Sequence, residues 1–115
     1  MLRGYVIFND VKLPTCRGNI SHIVIGEDKI VIETKNYSGH YIIDGGTWYK
    51  VKGDEEIELY KDPGRQVKYN ILRLKEFLRE NGIRKRIWME AIIVMINNNA
   101  TIHKQPPDYT VLGAS

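Results

Sequence analysis

The chain has 115 residues, of which 43% are hydrophobic and 27% charged, and carries a formal net charge of +3. That length suits one domain with a single core, and the balance of residue types excludes wholesale disorder. No apolar run approaches the roughly 18 residues that cross a bilayer, the start "MLRGYVIFND" has no signal-peptide layout, and the lone Cys16 excludes an internal disulfide and a cysteine metal cluster; a cytoplasmic setting is the default expectation.

Residues 5–8 and 11–13 are short and apolar and read as a strand or an irregular strand pair, which "PTCRGN" ends. Residues 22–25 and 29–35, rich in Ile and Val and separated by "GED", predict a hairpin; residues 41–43 and 48–51, on either side of "DGG", predict a second. A further strand is expected over residues 56–59. At Asp62 the period changes. Asp62 is a good N-cap and Pro63 suits the first helical position, after which Val67, Ile71, Leu74 and Leu78 recur at spacings of four, three and four. This is an amphipathic helix, and Asn81-Gly82 supplies its stop. The run "WMEAIIVMINN", residues 88–98, reads as a buried central strand, residues 101–103 as a short edge strand, and "KQPPDY" as a loop before a weak tail. Trp48 and Trp88 are assigned to packing.

The charge is unevenly spread. Between Lys61 and Glu90 nine Lys or Arg stand against four acids, a local excess of +5. Such a segment attracts a polyanion through phosphate contacts, and Arg65, Lys68 and Arg73 are the candidate contacts; a solvated basic helix face is the plain alternative.

On a strand, residues two apart share a face, so Glu33 and Lys35 stand side by side in "KIVIETK". If the hairpin loop is Gly26, Glu27 and Asp28, Ile25 pairs with Lys29 and Ser21 lies directly across from Glu33, whereas a slip of one residue turns Ser21 to the other face. His22 then points away from Ser21 and reads as a packed, hydrogen-bonded histidine. No His-x-x-x-His spacing exists for zinc. By itself a Glu-x-Lys on a strand reads as a cross-strand ion pair.

The order of "HIVIGEDKIVIETKNYSG", Trp48, "DPGRQ" opening a helix, the apolar strand and "INNNATI" resembles the nuclease-related domain, a family of the restriction-endonuclease-like superfamily, over residues 4–112. The resemblance implies an α/β (α+β) fold, a mixed central β-sheet with flanking helices, and a DNA endonuclease that hydrolyses phosphodiester bonds with Mg²⁺ or Mn²⁺. In that family's pattern Glu33 and Lys35 match the acidic motif and Gln66 matches a helix-borne glutamine that helps hold water or phosphate. Tyr37 and Ser38, in the turn after the strand, are candidate contacts to a base or sugar and to a phosphate.

Two departures limit the carry-over. Family members read Asp-His where this chain reads Ser21-His22, so a hydroxyl stands at the position of the usual metal-binding carboxylate and metal binding is expected to be weakened. Three accounts of Ser21 stand open: an introduced inactivating change, a natural loss of activity, or a site where Asp10 or Asp44 supplies the acid. The family also begins with a glutamate-bearing helix for which "MLRGYVIF" leaves no room; either the sequence starts late or the protein lacks that helix, and residues 1–115 are expected to form a single nuclease-related domain without it. An uncovered sheet face would be compatible with a homo-oligomer. The competing functional reading is a non-catalytic nucleic-acid-binding or scaffold module on the same fold, and a protein-interaction domain is the third.

Overall fold

A computed structural model of the chain describes residues 5–14, 18–26, 29–35, 40–83, 85–95 and 100–113. The fold is mixed α+β: two mixed sheets and, among the described residues, one helix, consistent with a restriction-endonuclease-like arrangement. The first sheet holds β1 (Val6–Val11), β2 (Ile20–Ile25), β3 (Lys29–Lys35), β7 (Trp88–Val94) and β9 (Thr110–Leu112) in the order β1-β2-β3-β7-β9. The second holds β4 (Tyr41–Asp44), β5 (Thr47–Lys52), β6 (Glu55–Glu58) and β8 (Ala100–Lys104) in the order β6-β5-β4-β8.

Each sheet is a meander of antiparallel neighbours completed by parallel pairing. β1-β2-β3 and β4-β5-β6 run antiparallel, whereas β3 pairs with β7, β7 with β9 and β4 with β8 in parallel. Parallel neighbours need a long crossover, and α1 (Pro63–Glu80) lies in the one between β3 and β7. Both expected hairpins form, the second across the two-residue Gly45-Gly46 turn with Asp44 opposite Thr47. The tail expected to be weak forms β9 beside β7, with Ile93 opposite Val111.

The helix begins and ends on local chemistry. The Asp62 carboxylate accepts from the Gly64 N–H at 2.7 Å and the Arg65 N–H at 3.1 Å, satisfying two donors that the first turn leaves open. At the other end Gly82 has φ +86°, which a residue with a Cβ adopts at a cost. There the Gly82 N–H donates to the Arg79 carbonyl and the Ile83 N–H to the Leu78 carbonyl, a Schellman closure that brings Ile83 over Leu78.

The core follows from strand alternation. Ile23, Ile30, Ile32, Ala91, Ile93 and Val111 are buried on one face of the first sheet and cluster with Val67 and Leu74 of α1. Trp48 and Ile43 of the second sheet, with Ile20 and Leu13, extend this cluster. At the outer edge β1 is exposed along most of its length, and Asp10 within it has φ +53°.

Candidate hydrolytic and nucleic-acid-binding site

Glu33 sits in β3 between an antiparallel and a parallel neighbour, across from His22 of β2 on one side and Ile92 of β7 on the other. This corrects the register expected from the sequence. Ile25 pairs with Ile30 rather than with Lys29, so the hairpin connection is one residue longer and every side chain of β2 is offset against β3. Ser21 consequently alternates onto the face of Ile23 and Ile32, the buried face, and not onto that of Glu33.

The row across the sheet at Glu33 is Asn9, His22, Glu33, Ile92 and Thr110. His22 Nδ1 lies 2.6 Å from Asn9 Oδ1; an amide oxygen only accepts, so Nδ1 is the donor in this bond. His22, Glu33 and Ile92 are all half-buried, and this face is the more open one. Lys35 closes β3 in register with Val94; its side chain lies outside the described part of the structure, as do Tyr37 and Ser38 entirely.

Asp10 falls between the Asn9–His22 and Val11–Ile20 pairs, so its register position is that of Ser21. Its carboxylate accepts from Asn19 Nδ2 at 2.7 Å, an interaction that ties down the turn entering β2. Asp44 ends β4 in the second sheet, at an irregularity in its pairing with β8. Among the described residues no three His, Cys, Asp or Glu side chains gather into a group that would hold a metal. The row at Glu33 offers one carboxylate and one imidazole, and Glu90 stands two residues before Ile92 on the same face; the row by itself does not fit Mg²⁺, which selects charged oxygens for its few protein ligands.

The helix places the other candidates apart from Glu33. Gln66, exposed in the first turn, donates through Nε2 to Oδ1 of the buried Asn70 at 3.2 Å. No hydrogen bond joins Gln66, Ser21 and Glu33 to one another. Arg65 is exposed beside it, while Lys68 Nζ lies 3.5 Å from Asp108 Oδ2. Arg73 bonds Glu76 at 3.1 Å and stands 5.3 Å from the centre of the Tyr69 ring. Tyr69 first, then Glu76, push the Arg73 pKa above its already high ordinary value, so this cation is permanent.

Two features escaped the sequence reading. Gly64 packs directly under Tyr109: a Cβ added there would run into the Tyr109 hydroxyl. That hydroxyl in turn accepts from Trp48 Nε1 at 2.8 Å, inside the core. Burial, mainly, and the nearby Asp62 and Asp108 push the Tyr109 pKa up. "DPGRQ" is therefore in part a packing motif: Asp62 caps, Pro63 starts the helix and Gly64 admits the tyrosine. The second feature is Trp88, assigned to packing on its residue type but 67% exposed, because it alternates with Glu90 and Ile92 onto the face of β7 that α1 does not cover. Trp48, at 0% exposure, does pack.

A mixed sheet with a Glu-x-Lys strand at its centre and a crossover helix is the layout of a restriction-endonuclease-like domain. The nuclease-related domain family model matches residues 1–96, and the chain belongs to that family. No curated protein and no solved structure matches the chain. Membership points to a nuclease-related function and to interaction with nucleic acid, in a family that commonly uses divalent metals. Among the described residues no helix is long and apolar enough to cross a membrane.

Proposed function

We propose that the chain is a DNA-binding domain built as a phosphodiester hydrolase, with hydrolysis impaired at Ser21. In this reading Glu33 is the surviving carboxylate of a Mg²⁺- or Mn²⁺-dependent centre, Lys35 and Gln66 serve attacking water and phosphate, and Arg65, Lys68 and Arg73, with Tyr37 and Ser38, hold the DNA. The observation that carries it is the family match together with the row at Glu33, where a histidine and not a second acid faces the carboxylate. The single carboxylate of this row leaves a hard cation short of charged ligands.

The test is cleavage of supercoiled plasmid with Mg²⁺ or Mn²⁺, beside gel-shift binding in chelator. The expected result is binding without metal, trace cleavage, and loss of that trace in Glu33→Ala with binding unchanged. Efficient cleavage that survives Glu33→Ala would overturn the assignment of the site.

A second reading, a non-catalytic nucleic-acid-binding module, is favoured by the His22 hydrogen bond to Asn9, which gives this row a structural role of its own. Ser21→Asp separates the two. Rescue of cleavage supports the impaired hydrolase and requires β2 to shift by one residue against β3; retained binding with no gain supports the module. A homo-oligomer through the exposed β1 edge is a further part of the proposal, checked by sedimentation at several concentrations.

A further inference from the structure

The C-terminal half of α1 and the chain leading into β7 enclose a groove of about 960 Å³. Its floor is apolar, made by Leu78, Ile83 and Ile87, and the Schellman closure at Gly82 brings the first two together. Its rim carries Lys75, Arg79, Lys85 and Arg86, and among the described residues no acid lines it. None of these four cations makes an ion pair with a described residue, in contrast to Lys68 and Arg73. Trp88 stands at one end; its Nε1 donates to Glu90 at 3.1 Å, a bond that engages the edge of the indole and leaves its faces open.

Four cations without an ion pair to a described residue, on a groove that ends at an exposed indole, suit a ligand that is both polyanionic and aromatic. An acidic peptide would satisfy the charges but not the ring, and a duplex keeps its base faces stacked inside. Unpaired nucleotides offer both a phosphate chain and bare π faces. Helical spacing adds a path: Arg65, Lys68, Leu72, Lys75 and Arg79 recur at three and four residues along one side of α1, which spans roughly 27 Å at about 1.5 Å per residue, from the Gln66 end to this groove.

We propose that this groove is a binding site for single-stranded nucleic acid, with Trp88 stacking on a base and Lys75, Arg79, Lys85 and Arg86 contacting phosphates. It rests on the proposed function only for the class of ligand, and Glu33 is not among the residues that line it.

The chain carries its own probe, because one of its two tryptophans is buried and the other open. Titration with a short oligothymidylate in chelator, at low salt, should quench Trp88 fluorescence, and Trp88→Phe should abolish the quench. Anisotropy of a labelled oligothymidylate should show binding about tenfold weaker in Trp88→Ala. Arg79→Gln and Arg86→Gln should each flatten the dependence of log affinity on log salt by about 0.7. Unchanged affinity and salt slope in these variants, with binding lost instead in Arg65→Gln/Lys68→Gln, would overturn the groove and leave DNA binding standing. Competition by polyglutamate equal to that by oligothymidylate would overturn it in favour of an acidic peptide. Absence of any nucleic-acid binding would overturn the groove and the proposed function together.

Discussion

The two ends of α1 are built from opposite chemistry. At the start, Asp62, Pro63 and Gly64 are buried, the cap is complete, and Tyr109 and Trp48 close over the first turn. At the finish, the Schellman closure is just as complete, yet what surrounds it is an open groove with a basic rim and a bare indole. Hydrogen-bond satisfaction is therefore common to both ends, and burial distinguishes them. The chain uses its helix start to hold two sheets together and its helix end to present charge, which explains why two tryptophans in one small core-forming sequence have such different exposures.

Substitutions at the closed end should give the largest losses. Trp48→Ala removes a fully buried indole and its bond to Tyr109, and should cost about 3–5 kcal/mol in a urea melt. Gly64→Ala adds one methyl against the Tyr109 hydroxyl and should cost about 1–3 kcal/mol, since neither the helix backbone nor the buried ring gives way easily. If Gly64→Ala were neutral, the close approach that distinguishes this end would be wrong.

A pH dependence sharpens the same contrast. Burial raises the Tyr109 pKa above its ordinary value near 10, so folding favours the neutral phenol. The contribution is whole below the unfolded-state value and is lost as pH rises through the higher folded-state value, because the unfolded chain releases its proton first. Melting curves taken from neutral pH upward should thus show an alkaline loss of stability, reduced in Tyr109→Phe beyond what the other tyrosines produce.

What the sequence disclosed divides along the same line. Asp62, Pro63 and Gly82 act on backbone groups a few residues away, so the helix and both its ends could be read directly. The Gly45-Gly46 turn is equally local. The β2 to β3 register stayed open to a one-residue slip, because one loop residue more or less is invisible in an alternating Ile and Val pattern, though it decides which face Ser21 takes. β9 was missed because three residues carry too little periodicity, and their partner β7 lies across the Pro106-Pro107 turn and β8. The Gly64 contact depends on Tyr109 far down the chain, and the exposure of Trp88 depends on which face of β7 the helix covers. Neither has a local signature.

The smallest predicted change in stability is at the open end. Trp88 is two-thirds exposed, so truncating it returns little apolar surface to water, and the exposed bond from its indole to Glu90 trades one surface partner for solvent. Trp88→Ala should therefore shift stability by no more than about 0.5 kcal/mol in the same urea melt. The same residue type would then cost several-fold less at the groove than at the core, a difference due to burial alone. A loss at Trp88 comparable to that at Trp48 would mean that the indole packs after all and that the two ends of α1 are alike.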